Sequence, residues 1–148
     1  MGPKRLADIL NQVGDLHRLL SERYAELSAE AAHEDVKLLL AHLCRIEQYM
    51  EHCLQEYQRG ADKAVLESWF RVTPDFDPAR ILHRVRLRPE TTRDDVIAAA
   101  VEVEEAMEHL FNELIQHAMS EELESALICL LEMEKQEKGK ILRSGDFY

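Results

Sequence analysis

Five ionisable residues, His17, Glu47, Glu104, Glu134 and Glu137, fall where helical core stripes should be apolar. Residues three and four apart share a helix face, so the stripes can be read from the period alone. Leu6, Leu10, Val13, His17, Leu20, Tyr24, Leu27 and Ala31 form the first stripe, and Val36, Leu40, Leu43, Glu47, Met50, Leu54 and Tyr57 the second. Ile97, Ala100, Glu104, Met107, Phe111, Leu114 and Ala118 form the third, and Leu123, Leu127, Leu130, Glu134, Glu137 and Ile141 the fourth. Each break falls near the middle of its stripe. An ionised carboxylate is costly to bury uncompensated, so such groups pair, protonate or bind a cation. No Lys or Arg lies on the stripes near that level, and Arg45 and Lys135 are expected to point elsewhere. A divalent cation is the simplest compensation. Oxygen donors with one imidazole suit manganese or ferrous iron, and zinc can also bind. The alternative is a partly wet groove or a dimer interface with some of the Glu residues protonated.

The spacing repeats. His17 to Glu47 is 30 residues, as is Glu104 to Glu134, and an offset of 87 carries the first pair onto the second. The same offset takes Asp8 to Asp95, Tyr24 to Phe111 and Leu43 to Leu130 without a gap. The chain reads as two similar helical hairpins within one domain spanning 1–148, about 3–59 and 92–143, joined by a crossover over 60–91.

The elements that must position these residues follow from local signals. The first helix is predicted from about Pro3, which suits a first turn, to Ala31. The second runs from Glu34 to Arg59 and is closed by Gly60. Residues 61–72 have the pattern of a short helix with Leu66, Trp69 and Phe70 as its apolar contacts, and 73–89 should be mostly irregular. Thr91 or Thr92 caps the third helix, with Asp94 and Asp95 in its first turn, and Ser120 caps the fourth, which ends near Arg143. The tail, Ser-Gly-Asp-Phe-Tyr, should fray. Two short links around one long connection predict an all-α four-helix bundle in which the second and third helices run parallel.

The segments AAAVEVEEAMEHLFNELIQHA, LLLAHLCRIEQYMEHCL and ALICLLEMEKQEKGKIL resemble helices three, two and four of the rubrerythrin-like branch of the ferritin-like superfamily. The resemblance covers nearly the whole chain and rests on pattern more than identity. It implies a ferritin-like fold and places Glu104, Glu47 and Glu134 in ligand positions. The family carries Glu on helices one and three and Glu-x-x-His on helices two and four. Here His17 stands at the helix-one Glu position, and Met50 and Glu137 stand at the two His positions. The implied roles are Glu47 and Glu134 as bridges, with Glu104, Glu137 and His17 terminal. One half-site would use His17 and Met50, the other Glu104 and Glu137. Thioether is a poor donor to these ions, so one strong site is expected on the Glu104–Glu137 half. The implied function is a non-haem iron or manganese oxidoreductase acting on oxygen or peroxide, served by an electron-donor partner. Metal storage or handling without turnover, and a metal-free helical interaction module, are the alternatives.

Composition narrows the classes further. Net charge is −11, with 18 Lys and Arg against 29 Asp and Glu, which argues against nucleic-acid binding. No apolar run approaches the roughly 20 residues of a membrane span. With no apolar signal region and three cysteines (Cys44, Cys53 and Cys129) lacking CxxC spacing, the expected location is the cytoplasm. Glu105 and His109 have i,i+4 spacing that could hold a metal, though an exposed pair is the default. His33, His42, His83 and His117 form no ligand pattern. Arg80, Arg84, Arg86 and Arg88 form a basic island with His83, read as pairing with surface Glu or docking the crossover. Leu66, Trp69 and Phe70 need something to bury them, which predicts a homodimer unless they dock on their own bundle.

Overall fold

A computed structural model describes residues 2–146. Its frame is four long helices: α1 (Leu6–Glu30), α2 (Glu34–Gly60), α5 (Arg93–Gln116) and α6 (Glu121–Ser144). The connection holds two short helices, α3 (Lys63–Leu66) and α4 (Pro78–Leu82), and the strand β2 (Trp69–Phe70), which pairs antiparallel with β1 (Lys4–Arg5).

Helix ends follow side-chain chemistry. Ser120 Oγ accepts from the Leu123 N–H at 3.1 Å. Thr92 Oγ1 accepts from the Asp95 N–H at 3.2 Å, and Asp95 accepts from the Thr92 N–H in return, a reciprocal cap that supplies two otherwise orphaned donors with acceptors. Asp62 and Asp77 cap the two short helices. Three expectations are corrected. The first helix starts at Leu6 and not Pro3, because Lys4 and Arg5 are held extended against Phe70 and Trp69. Gly60 is the last helical residue of α2 and does not close it through a left-handed turn, since no described residue has a positive φ. The 61–72 segment shortens to one helical turn followed by the strand, and 73–89 contains the one-turn helix α4.

The path of the connection sets the topology. At one end of the bundle, the Leu6 N–H donates to Ser68 O at 2.9 Å and Thr73 Oγ1 to Gly2 O at 3.3 Å. The chain then climbs along α1, where Leu82 and Val85 face Leu19 and Arg23 across a surface groove. At the far end the Ala32 N–H donates to Pro89 O at 2.9 Å. The α5 helix therefore starts where α2 starts, and Arg93 Nη2 ties it to Gly145 O at the end of α6 at 2.8 Å. The α2 and α5 helices run parallel, as the one long connection predicts.

The stripes predicted from sequence form one continuous apolar core, joined by Phe70, Phe76, Ile81 and Val85 from the connection. The Arg-rich stretch thus docks through Ile81 and Val85, while Arg80 pairs with Asp75 at 2.9 Å. Phe70 is buried by the chain's own core, whereas Trp69 stays 60% exposed beneath the Arg5 guanidinium, 5.9 Å from the ring centroid. Urea unfolding should separate the two: Phe70→Ala should cost about 3–5 kcal/mol and Trp69→Ala no more than about 1 kcal/mol, and equal losses would contradict this docking.

Candidate metal centre

Each long helix delivers one ionisable side chain to a common level: His17 from α1, Glu47 from α2, Glu104 from α5 and Glu134 from α6, with Glu137 one turn further along α6. All five are at most 3% exposed. The parallel α2–α5 arrangement is what makes the mid-helix positions of both hairpins coincide.

His17 is the hub. Its Nδ1 lies 2.8 Å from Glu47 Oε1 and 3.6 Å from Glu137 Oε1, and its Nε2 lies 3.0 Å from Glu134 Oε1. One atom from each of His17, Glu47, Glu104 and Glu137 lies within 4.8 Å of the others. Glu134 joins the cluster through the opposite edge of the imidazole. A neutral imidazole has one N–H donor, so two ionised carboxylates on its two nitrogens call for the imidazolium. Burial opposes that charge, but Glu134 and Glu47 outweigh it and hold the His17 pKa well above its ordinary value.

The remaining oxygens are poorly served. Glu104 Oε2, Glu134 Oε2 and both oxygens of Glu137 are buried without an N–H donor, and Glu104 and Glu137 are left to share a proton with each other. Burial, followed by the charge of Glu137, pushes the Glu104 carboxyl well above the usual range. Burial, followed by the charge of Glu47, does the same for Glu137. An unpartnered buried carboxylate is costly, and most buried polar atoms in proteins are paired, so this concentration at one level is a ligand-seeking arrangement.

Two features escaped the sequence reading. Tyr24 is buried beside the cluster, and desolvation with the charges of Glu47, Glu104 and Glu137 holds its phenol well above its usual pKa. Its place one heptad after His17 was the available signal. Lys138 was also missed. It donates to Glu108 Oε2 at 2.9 Å, so a cation does stand one turn from the carboxylate level. The separation of 30 between Glu108 and Lys138 repeats that of the two site pairs and marked them as neighbours. Glu105 and His109 do not form the metal pair their spacing allowed: His109 pairs with Glu113 on the exposed face. Met50 is buried near the site, and the three cysteines are free thiols.

The pKa directions fix how the metal-free protein responds to pH. Glu104 and Glu137 hold protons in the fold that the unfolded chain releases near 4.5, so their contribution is lost as pH rises above that value. His17 adds a loss above about 6.5, as the unfolded chain sheds a proton that the fold retains. Stability of the chelator-treated protein should therefore fall from pH 5 to pH 8. Glu104→Gln should flatten the slope and raise stability at neutral pH. Glu134→Gln should lower it by about 1–3 kcal/mol, because it weakens the clamp on His17. Urea titrations across pH decide this, and a flat profile for the unsubstituted protein would contradict the assignment of buried protons.

No family model and no curated protein matches the sequence. Among solved structures, the chain is similar to a candidate ferritin-like diiron-carboxylate protein from Thermotoga maritima. The two share 20% sequence identity and a TM-score of 0.59, over 99% of this chain and 98% of that one. At that identity the likeness concerns the course of the backbone alone. The chain has the ferritin-like fold.

Proposed function

We propose that this protein binds a divalent transition-metal ion, iron foremost, at the His17–Glu47–Glu104–Glu137 cluster. The observation that carries the reading is the set of buried oxygens on Glu104 and Glu137 that no N–H donor serves, beside an imidazole and a third carboxylate. The residues fit such an ion: hard oxygen donors with one nitrogen match iron(II), manganese(II) or zinc(II), and no soft donor belongs to the set. The resemblance to a diiron-carboxylate protein favours iron among these.

Glu104, Glu137 and Glu47 would hold the ion, with His17 Nδ1 as the nitrogen donor. Glu134 would orient the ring through Nε2, as carboxylates commonly do for metal-binding histidines. This arrangement supports one strong site more than two equal ones, because the His17 ring fills the space between Glu47 and Glu134. Bound there, iron or manganese would supply one-electron chemistry toward oxygen or peroxide. The chain's own part is to exclude water, hold protons on Glu104 and Glu137 until they are displaced, and keep Tyr24 protonated beside them. On this reading the protein is a non-haem oxidoreductase. Storage or handling without turnover uses the same residues and differs only in lacking peroxide consumption with an electron donor. The clamp on His17 favours a further reading, in which the imidazolium compensates the carboxylates by itself and the bundle carries no metal.

Metal analysis of protein purified without chelator or a metal-affinity column separates these readings, with about one ion per chain expected. Glu104→Gln and Glu137→Gln should each abolish binding, whereas Glu134→Gln should weaken it by about 10–100-fold. Binding should release protons, seen as a buffer-dependent heat in titration calorimetry. Metal content in all three variants equal to that of the unsubstituted protein would refute the site.

A further inference from the structure

Among the described residues, a surface groove reaches the buried cluster at Glu137. This groove between α2 and α6 encloses a cavity of about 100 Å³, and Glu137 is among its lining residues. A water molecule needs only about 10–15 Å³ of such space, so several fit. Met50, Cys53 and Met133 also line the groove, with Tyr49 and Lys140. Glu137 is 3% exposed and neither of its oxygens meets an N–H donor, so the cavity abuts an under-served carboxyl of the cluster. On the α5 side, Glu108 and Lys138 form an ion pair at 2.9 Å.

The outer residues are arranged as a cover. Lys140 Nζ lies 4.4 Å from the centroid of the Tyr49 ring, which is itself 57% exposed. The ring's negative face holds the ammonium at the rim of the groove. The walls offer thioether and thiol groups, weak partners for a hard ion, and passage through a pore requires sites weak enough to leave.

We infer that the α2–α6 groove is the port through which a small divalent ion passes between solvent and Glu137, with Lys140 parked on Tyr49 as its lid. This rests on the proposed metal site. A port alters the barrier and not the end states, so obstructing it must slow loading and release by the same factor and leave the affinity unchanged. Losing a ligand does the opposite and changes the affinity.

The test uses Cys53 as the handle in a Cys44→Ala, Cys129→Ser background, with a small alkyl methanethiosulfonate as the plug. Cobalt(II) is the probe: its visible absorption follows loading by stopped flow, and excess chelator follows release. The plug should slow both rates by about tenfold or more and hold their ratio within about twofold. Gln136→Trp, which narrows the same groove without labelling, should show the same signature. Tyr49→Leu, which unties Lys140 without changing charge, should speed both rates together. If cobalt binds and both obstructed proteins load and release at the original rates, the port is wrong and the metal site stands. If the unlabelled protein binds no cobalt at all, the metal site itself is wrong and the port falls with it.

Discussion

Four carboxyl groups drawn from three helices into one buried level cannot all stay ionised without a cation, and the rest of this structure is arranged around that constraint. Coulomb repulsion at close range is large in a poorly solvated core. The protein answers with His17, whose two ring nitrogens face Glu47 and Glu134 at 2.8 and 3.0 Å. That clamp serves two carboxylates and leaves the Glu104–Glu137 side with oxygens that no N–H donor serves. The asymmetry is chemical: one side is compensated by an internal cation, the other by protons or by an ion from outside.

The surrounding bundle makes this bearable. Apolar residues fill the stripes above and below the charged level, from Leu10 and Val13 to Leu20 and Leu27 on α1 alone. Burial of that surface provides the main stabilisation, against which a few frustrated polar groups can be maintained. Glu108 and Lys138, one turn away, form an ion pair with Lys138 partly solvated, so the charge spreads toward the surface. Tyr24 caps the cluster with a group that stays neutral, which adds no further repulsion.

The connection contributes more than length. Its hydrogen bonds from Ser68 O to the Leu6 N–H and from Pro89 O to the Ala32 N–H pin it at both ends of α1. Phe70, Phe76, Ile81 and Val85 bury their side chains in the core between those points. Carrying the chain from one end of the bundle to the other makes α2 and α5 parallel and brings Glu47 level with Glu104. A shorter link would reverse the second hairpin and change which turns of the helices face one another.

The four long helices, to within a few residues at their ends, their caps at Thr92 and Ser120, the parallel crossover and the five charged rungs were legible in the sequence. Helical period and capping chemistry are local and leave a direct trace in residue order. The spacing of 30 within each hairpin even set which residues lie level. Tertiary structure decided what residue order cannot encode: which atoms meet. That His17 would bridge Glu47 and Glu134, that Lys138 would turn toward Glu108, and that Phe70 would be buried while Trp69 stayed outside all depend on side-chain direction and on packing between distant segments. The strand pairing that holds Lys4 and Arg5 extended is of the same kind, since residues 4–5 and 69–70 have no sequence signal linking them. Periodicity specifies a face, and only the assembled bundle specifies the contacts made across it.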